Sequence, residues 1–233
     1  MAPGDLDPSS SVFLETVGKG MSYNRLNRRK ILVIGAGQQD IGEENAPIGN
    51  GRAISVLCAR EGAAVVCLDV NQKAADETVE QIKNEGGEAY PYVFDVRNAK
   101  GIVKAVDDAR KLLGGRLDGL ALEVGISRGI PLDKVTKESW DDELAVNLRS
   151  HMLFAQSALQ VMSDGASIVL LSSMAGQTAI GNPAYETSKA AQMALGRAIA
   201  KMGEPKGIRA NVIAPGYVDT PLGQLTWSSG FAP

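Results

Sequence analysis

Tyr185 and Lys189 are four residues apart in a segment with helical periodicity, so they share one face of the helix. Both side chains have ordinary pKa values of about 10, and a tyrosine with that value is a poor base at neutral pH. A neighbouring ammonium favours the phenolate, so we expect Lys189 to lower the pKa of Tyr185. The pair would then act as a proton donor and acceptor on a substrate oxygen.

Two serines precede this pair at the end of an apolar strand. Ser172 and Ser173 follow the segment Ala166–Leu171, where a hydroxyl could hydrogen-bond a substrate oxygen. The serines and the Tyr–Lys pair therefore predict one site for proton transfer at a strand end.

A second group of residues has the composition of a phosphate-binding loop. Gly35 and Gly37 follow the apolar run Ile31–Ile34, and Gly49 and Gly51 come directly before a helical segment. In such loops glycines allow a tight turn and close approach of the backbone to a pyrophosphate, which then lies at a helix N-terminus. Both functional ends of the loop are present, and they predict a dinucleotide site.

The two pairs of glycines are separated by a polar stretch over residues 38–48. We interpret this stretch as an insertion into an intact loop, because the entropy of loop closure grows only slowly with length. Its acidic residues Asp40, Glu43 and Glu44 must point away from the phosphates or pair elsewhere.

Asp69 ends the second apolar run and indicates which dinucleotide would bind. A carboxylate at this position accepts hydrogen bonds from the adenosine ribose and repels a 2′-phosphate. Neither Val70 nor Asn71 supplies the positive charge that NADP would require. NAD is therefore favoured over NADP, although Asp69 could instead cap the helix that begins near residue 72.

Apolar and helical segments alternate along the chain from Lys30 onward. Strands this continuously apolar are covered on both faces, which indicates a parallel sheet between two layers of helices. We predict an α/β fold with one Rossmann-type doubly wound sheet of six strands in the order 3-2-1-4-5-6. The predicted strands are 31–34, 64–68, 89–94, 117–122, 166–171 and 208–213, and the predicted helices are 50–61, 72–85, 98–113, 138–162 and 184–203.

The domain organisation follows from the same alternation. Residues 1–28 are rich in turn formers without periodicity, so we predict a flexible extension there and a single domain over residues 29–233. Met21 stands just before the domain, which leaves open whether translation starts there or at Met1.

Composition excludes several classes of protein. A net charge of -3 and a pI near 5.3 disfavour nucleic acid and acidic membranes as partners. One histidine, His151, and two cysteines without metal-ligand spacing argue against a metal site, and Cys58 and Cys67 are expected to be reduced. The sequence shows no signal peptide and no membrane-spanning run, so we expect a soluble, cytoplasmic protein.

Taken together, these motifs resemble the short-chain dehydrogenase/reductase family over about residues 30–222. The resemblance rests on "YETSK" with the serine strand before it, "VNLRS", "FDV" and "RANVIAPGYVDT". It implies that Ser173 orients the reacting carbonyl or hydroxyl and Tyr185 transfers the proton. Lys189 would hold the nicotinamide ribose and tune Tyr185, and Asn147 would support a water in a proton relay.

The resemblance also assigns further cofactor contacts. Asp95 and Val96 match the position that holds the adenine ring. The loop from Pro215 to Thr220, with Gly216 and Val218, would cover the nicotinamide, and Thr220 would contact its carboxamide. The implied activity is the NAD(P)-dependent interconversion of a secondary alcohol and a ketone by a homo-oligomer, a dimer or a tetramer; the substrate itself is left open.

Several features depart from the family pattern. Glu123 stands where an asparagine is usual, and the usual lid helices and last strand do not follow "GYVDTPLGQL". These departures leave a second hypothesis open, a catalytically impaired dinucleotide-binding or interaction protein on the same scaffold. His151 is interpreted as a core or interface residue, with a part in the proton relay as the alternative.

Overall fold

The computed structural model describes residues 22–43 and 46–228, which form a single parallel sheet between two layers of helices. The six strands follow the order β3-β2-β1-β4-β5-β6, and every pairing is parallel. Fold class and strand order are as predicted. The strands are β1 (Lys30–Ile34), β2 (Ala64–Asp69), β3 (Glu88–Val93), β4 (Gly119–Leu122), β5 (Ser167–Leu171) and β6 (Arg209–Ile213).

The helices connect successive strands, as right-handed crossovers between parallel strands require. They are α1 (Asn50–Arg60), α2 (Gln72–Asn84), α3 (Ile102–Leu112), α4 (Lys137–Leu144), α5 (Ser150–Val161), α6 (Pro183–Gly203) and α7 (Pro221–Ser228). Two details differ from the prediction. The expected helix over 138–162 is divided by a π-helical turn at Ala145–Arg149, and α7 was not predicted.

Alternate side chains of the central strands pack into two separate cores. In β1, Leu32 and Ile34 join the larger core, which Phe154 of α5 also enters. Ile31 and Val33 point to the opposite face and pack with Val56 of α1. Burial on both faces explains why these strands are almost entirely apolar.

The residues just before the predicted domain boundary at residue 29 also pack on the domain. Residues 22–28 form a turn that lies against the end of α1: Leu26 N donates to Glu61 O (2.9 Å) and Arg28 N donates to Gly62 O (3.1 Å). Arg25 also forms an ion pair with Glu61 (2.7 Å). Residues 22–28 are thus packed on the domain, whereas the rest of the predicted extension, with Met1 and Met21, lies outside the described residues.

None of the helices within residues 22–43 and 46–228 combines the length and the apolar composition needed to span a bilayer.

Candidate active site

A cleft of about 500 Å³ opens at the carboxyl ends of the central strands. Ligands of open α/β sheets bind at this edge, at the point where the strand order reverses. Here β1 lies between β2 and β4, so the reversal falls beside the glycine-rich loop. The residues lining the cleft include Ser173, Tyr185, Pro215, Gly216, Val218 and Thr220.

Two glycines of the interrupted loop are required by close backbone contacts. Gly35 has φ +87°, and a Cβ there would lie 2.7 Å from the Val124 Cα. A Cβ on Gly51 would lie 1.7 Å from the carbonyl oxygen of Gly35, far inside contact distance. The start of α1 therefore packs directly on the turn after β1.

Gly37 lies against the carboxylate at the end of β2. Its backbone N–H donates to Asp69 Oδ2 (2.9 Å), and a Cβ on Gly37 would lie 2.7 Å from the same oxygen. The other oxygen, Oδ1, accepts from Asn71 N (3.0 Å). The alternative role of Asp69 as a helix cap is wrong, because the cap of α2 is Asn71, whose side chain accepts from Ala74 N.

The insertion between the glycine pairs is closed at its base. Gln38 Oε1 accepts from Gly49 N (3.0 Å), and a Cβ on Gly49 would lie 3.8 Å from the Gln38 Cα. The two ends of the inserted stretch are therefore neighbours in space. Asp40 and Glu43 are exposed, in agreement with the expectation that they avoid the phosphates, and Glu44 lies outside the described residues.

The first turn of α1 has the properties of an anion site. The first N–H groups of a helix have no intrahelical acceptors, and the N-cap residue of α1, Gly49, has no side chain that could accept from them. Arg52 in this turn is directed away, to Thr78 (3.1 Å) and Glu77 (2.8 Å). Uncapped N–H groups at the start of α1 and the Asp69 carboxylate beside Gly37 fit a dinucleotide with its phosphates on α1 and its adenosine ribose on Asp69.

Helix α6 presents the predicted catalytic pair. It begins with Pro183 as its first residue, a position that suits proline because no intrahelical N–H is needed there. The ammonium of Lys189 lies 5.4 Å from the centroid of the Tyr185 ring. Lys189 Nζ donates to Leu171 O (2.7 Å), and Ser172 Oγ donates to Lys189 O (2.6 Å). These bonds fix the pair to the end of β5.

The pKa of Tyr185 is raised above its usual value, which is opposite to our expectation. Burial of the phenol is the main cause, a hydrogen bond from Ser173 opposes it, and the charges of Glu123 and Glu143 add to the rise. Desolvation of its ammonium lowers the pKa of Lys189 to about 8, with the charge of Glu123 opposing this, so Lys189 loses its proton at a lower pH than Tyr185 does. Tyr185 is therefore protonated near neutral pH.

The π-helical turn carries Asn147, whose side chain clamps the segment after β4. Asn147 Oδ1 accepts from Ile126 N and Nδ2 donates to Ile126 O, both at 2.8 Å, and Nδ2 also donates to Ser188 Oγ (3.1 Å). These bonds hold the amide side chain in a structural role, and we assign the relay water to the main-chain carbonyl of Asn147 instead. That carbonyl accepts a bond from Gln192 Nε2 (2.6 Å) and keeps a second lone pair.

His151 is fully buried one turn after Asn147. Its Nε2 bonds to Val124 O (2.9 Å) and its Nδ1 to Gln192 Nε2 (3.1 Å). A carbonyl oxygen can only accept, so Nε2 carries the proton and Nδ1 accepts. Desolvation lowers the pKa of His151 to about 3, and the neutral ring therefore fits the core interpretation.

The remaining predicted cofactor residues lie around the same edge. Asp95 is exposed and accepts from Arg97 N (2.9 Å), Val96 is buried in the core, and Phe94 N donates to Asp69 O. The end of β3 is thereby held beside Asp69. Thr220 Oγ1 accepts from Gly223 N (3.1 Å), which caps the start of α7, and its hydroxyl proton is left to donate.

Comparisons with known proteins agree with this geometry. The family model described as "Enoyl-(Acyl carrier protein) reductase" matches residues 47–229. The 3-oxoacyl-[acyl-carrier-protein] reductase FabG of Thermotoga maritima is 32% identical over 182 residues, which is 76% of this chain and 73% of the relative. The chain belongs to the short-chain dehydrogenase/reductase family.

Solved members of the family share the fold over most of the chain. A short-chain dehydrogenase from Burkholderia cenocepacia in complex with NADP has a TM-score of 0.78 and 29% identity, covering 85% of this chain and 78% of its own. A 7α-hydroxysteroid dehydrogenase in complex with NADH and a 7-oxo bile acid has a TM-score of 0.79 and 29% identity, covering 87% and 76%. Family membership and fold are thus as the sequence motifs indicated.

The structure adds site residues that the sequence motifs did not indicate. Asn50, Ser127 and Asn182 also line the cleft. Asn182 Nδ2 donates to Ser127 Oγ (2.9 Å), and its buried Oδ1 has no partner within residues 22–43 and 46–228. The "NP" pair before α6 indicates a helix start, but the Asn182 side chain does not cap that helix and is directed to Ser127 instead. No local signal predicts this.

Proposed function

We propose that this member of the short-chain dehydrogenase/reductase family interconverts a secondary alcohol and a ketone, using NAD. The proposal rests on one observation: a single cleft holds both Ser173 and Tyr185 and the start of α1. That helix start has no side-chain cap and packs closely through its glycines. A bound dinucleotide would supply or accept the hydride. The chain's own residues provide orientation and a proton.

In the direction of ketone reduction, the Ser173 hydroxyl donates a hydrogen bond to the carbonyl oxygen and orients it. The Tyr185 hydroxyl donates its proton to the oxygen as negative charge develops there. Since the pKa of Tyr185 is raised, the donating form is the one populated at neutral pH. Lys189, held by Leu171 O, keeps two N–H donors for a ribose and stabilises the phenolate left behind.

Asn147 does not contact the reacting atoms but positions the residues around them. Its side chain fixes the backbone at Ile126, and Ser188, its other partner, lies next to Lys189 in α6. The second lone pair of its carbonyl can hold a water that returns a proton from solvent to Tyr185. The dinucleotide contacts are completed at the adenine end by Asp95 and Val96, and at the nicotinamide end by the loop Pro215–Thr220.

The proposal is tested by ketone-dependent oxidation of NADH across a panel of small ketones, with Tyr185→Phe as the diagnostic variant. Loss of general acid catalysis typically costs about 10²- to 10⁴-fold in rate, and we expect kcat to fall in that range. NADH affinity should stay within about twofold, because the phenolic oxygen is lost but the ring remains.

Tyr90→Phe is the matched control, since the Tyr90 hydroxyl donates to Glu88 on the edge strand β3, away from the cleft. Equal turnover by wild type and Tyr185→Phe would refute the assigned role of the tyrosine. Tight NADH binding with no turnover of any ketone or alcohol would instead support the catalytically impaired alternative.

The preference for NAD is tested by titrating the same protein with NADPH. The Asp69 carboxylate already accepts two backbone N–H groups and stands where a 2′-phosphate would come. We expect NADPH to bind at least about tenfold more weakly than NADH, a difference of about 1.4 kcal/mol. Equal affinities would contradict the assignment of Asp69.

We also propose that the protein is a cytoplasmic homo-oligomer with one domain over residues 29–233, on which residues 22–28 also pack. Cys58 and Cys67 are free, as expected in a reducing compartment. Light scattering of the purified chain measures the oligomeric state, and a monomer at micromolar concentration would contradict this part.

A further inference from the structure

Glu123 places a carboxylate inside the nucleotide site. It directly follows β4, and its backbone N–H donates to Ile34 O (3.1 Å) at the end of β1. Its Oε2 lies 3.1 Å from the position that a Cβ on Gly51 would take. The carboxylate therefore faces the first turn of α1, the place that the phosphates of a dinucleotide would approach.

Two charged groups act on this carboxylate: Lys189 of α6 attracts it, and Asp69 of β2 repels it. The charge of Glu123 in turn raises the pKa of Tyr185. Within residues 22–43 and 46–228, its oxygens accept no hydrogen bond and form no ion pair within 4.0 Å. Burial, reinforced by Asp69, raises the pKa of Glu123 to about 7.

Other ionisable groups near the site do not neutralise Glu123. His151 of α5 is neutral and bonded to Val124 O. Arg52 of α1 is bound to Glu77 and Thr78. A pyrophosphate placed on α1 would thus add two negative charges beside a carboxylate that has no direct cation.

We propose that Glu123 couples dinucleotide binding to the uptake of one proton, so that the phosphates bind the form in which Glu123 is protonated. The inference rests on the proposed dinucleotide site. The proton comes from solvent and adds to the carboxylate, and no other bond is made or broken. The neutral carboxyl group can then donate a hydrogen bond to a phosphate oxygen.

The direction of the pH dependence follows from the charge states. Above about pH 7 the free carboxyl group is ionised, so binding must take up a proton, and affinity falls by up to about tenfold per pH unit. Below about pH 6 the group is already protonated, so binding takes up almost none.

Isothermal titration with NADH measures the proton directly, because the apparent binding enthalpy varies with the ionisation enthalpy of the buffer. We would titrate wild type, Glu123→Gln and Glu143→Gln in two buffers at about pH 6 and pH 8. Glu143 is the matched control: it is a buried glutamate whose pKa is likewise raised to about 7, but it lies on α4.

We expect wild type and Glu143→Gln to take up close to one proton at pH 8 and almost none at pH 6. Glu123→Gln should take up almost none at either pH and should bind NADH about tenfold more tightly than wild type at pH 8. Undiminished uptake in Glu123→Gln would assign the proton to another group, such as Lys189, and would overturn the inference.

The wild-type titration can overturn the inference even if Glu123→Gln fails to fold. NADH binding without proton uptake at pH 8 would overturn the inference and leave the proposed function standing. Absence of NADH binding by wild type and Glu123→Gln at both pH values would overturn the proposed function, and the inference with it.

Discussion

The catalytic and nucleotide halves of the cleft differ in how their polar groups are bonded. On the catalytic side, Asn147, Ser172 and Lys189 each bond to backbone groups of neighbouring elements at 2.6–2.8 Å. On the nucleotide side, α1 begins without a side-chain cap, and the Glu123 carboxylate stands beside it with no hydrogen-bond partner among the residues that the structure describes. These catalytic-side residues are held by the protein itself, whereas the nucleotide side leaves donors and an acid for a ligand.

This difference reflects what each half has to do before its ligand binds. Proton transfer requires side chains held at fixed positions before the substrate arrives, and buried hydrogen bonds to backbone groups supply that order. An anion site needs free N–H groups, so bonding them within the protein would remove the function. The same fold therefore holds one half rigid and keeps donors available in the other.

The strongest test of the nucleotide half is Gly51→Ala, the change with the largest expected effect. The new Cβ would lie 1.7 Å from Gly35 O, so β1 and α1 must separate. We expect a loss of about 3 kcal/mol or more in the free energy of unfolding, together with loss of NADH binding.

Gly49→Ala is the control within the same loop, and denaturant unfolding of both variants makes the comparison. A Cβ on Gly49 meets its nearest atoms at 3.8 Å, and its φ of -71° suits alanine, so we expect a change in stability within about 0.5 kcal/mol. Equal stability of the two variants would mean that α1 does not pack on Gly35 as described.

The test of the catalytic half is Asn147→Ala, with a somewhat smaller expected effect. The change removes the bonds to Ile126 and leaves its buried N–H and C=O groups unpaired, which costs about 1–3 kcal/mol. It should also lower kcat more than NADH affinity, because the displaced segment supports the catalytic half. Unfolding midpoints and steady-state kinetics measure both effects.

Asn84→Ala, at the exposed end of α2, is the control for the loss of an asparagine side chain. If Asn147→Ala weakens NADH binding as strongly as it lowers kcat, the two halves are coupled more closely than their hydrogen bonds indicate.

The fold could be predicted because its signals are local and repeated. Apolar strands such as Ala64–Asp69 alternate with helices whose start and stop residues are visible, for example Asn71, which caps α2. With right-handed crossovers these signals allow few strand orders. The positions of Tyr185 and Lys189 on one helical face followed from their spacing alone.

Other parts of the site depend on contacts that no local pattern reveals. The π-helical turn at Ala145–Arg149 arises within a segment whose periodicity predicts an uninterrupted helix. The raised pKa of Tyr185 results from burial and from Glu123 and Glu143, which are 62 and 42 positions away in sequence. Burial of the phenol, with two charges brought near it by the fold, thus reversed an expectation based on Lys189 alone.

Removing the insertion from the phosphate loop is the change for which we expect the smallest effect. Gln38 and Gly49 are in contact at the base of the insertion, so deleting residues 39–48 and joining these two residues requires little movement of either end. Shortening a loop changes its closure entropy only slowly, and we expect stability to change by less than about 1 kcal/mol.

NADH affinity should also survive this deletion, because Gly35, Gly37 and Gly51 keep their contacts with Val124, Asp69 and the turn after β1. Fluorescence titration of the shortened chain beside wild type measures it. A tenfold or greater loss of affinity would show that the insertion itself contributes to the nucleotide site. The extra length of the loop would then be part of the ligand-dependent half of the cleft, and Glu123 would not be the only group there that departs from the family pattern.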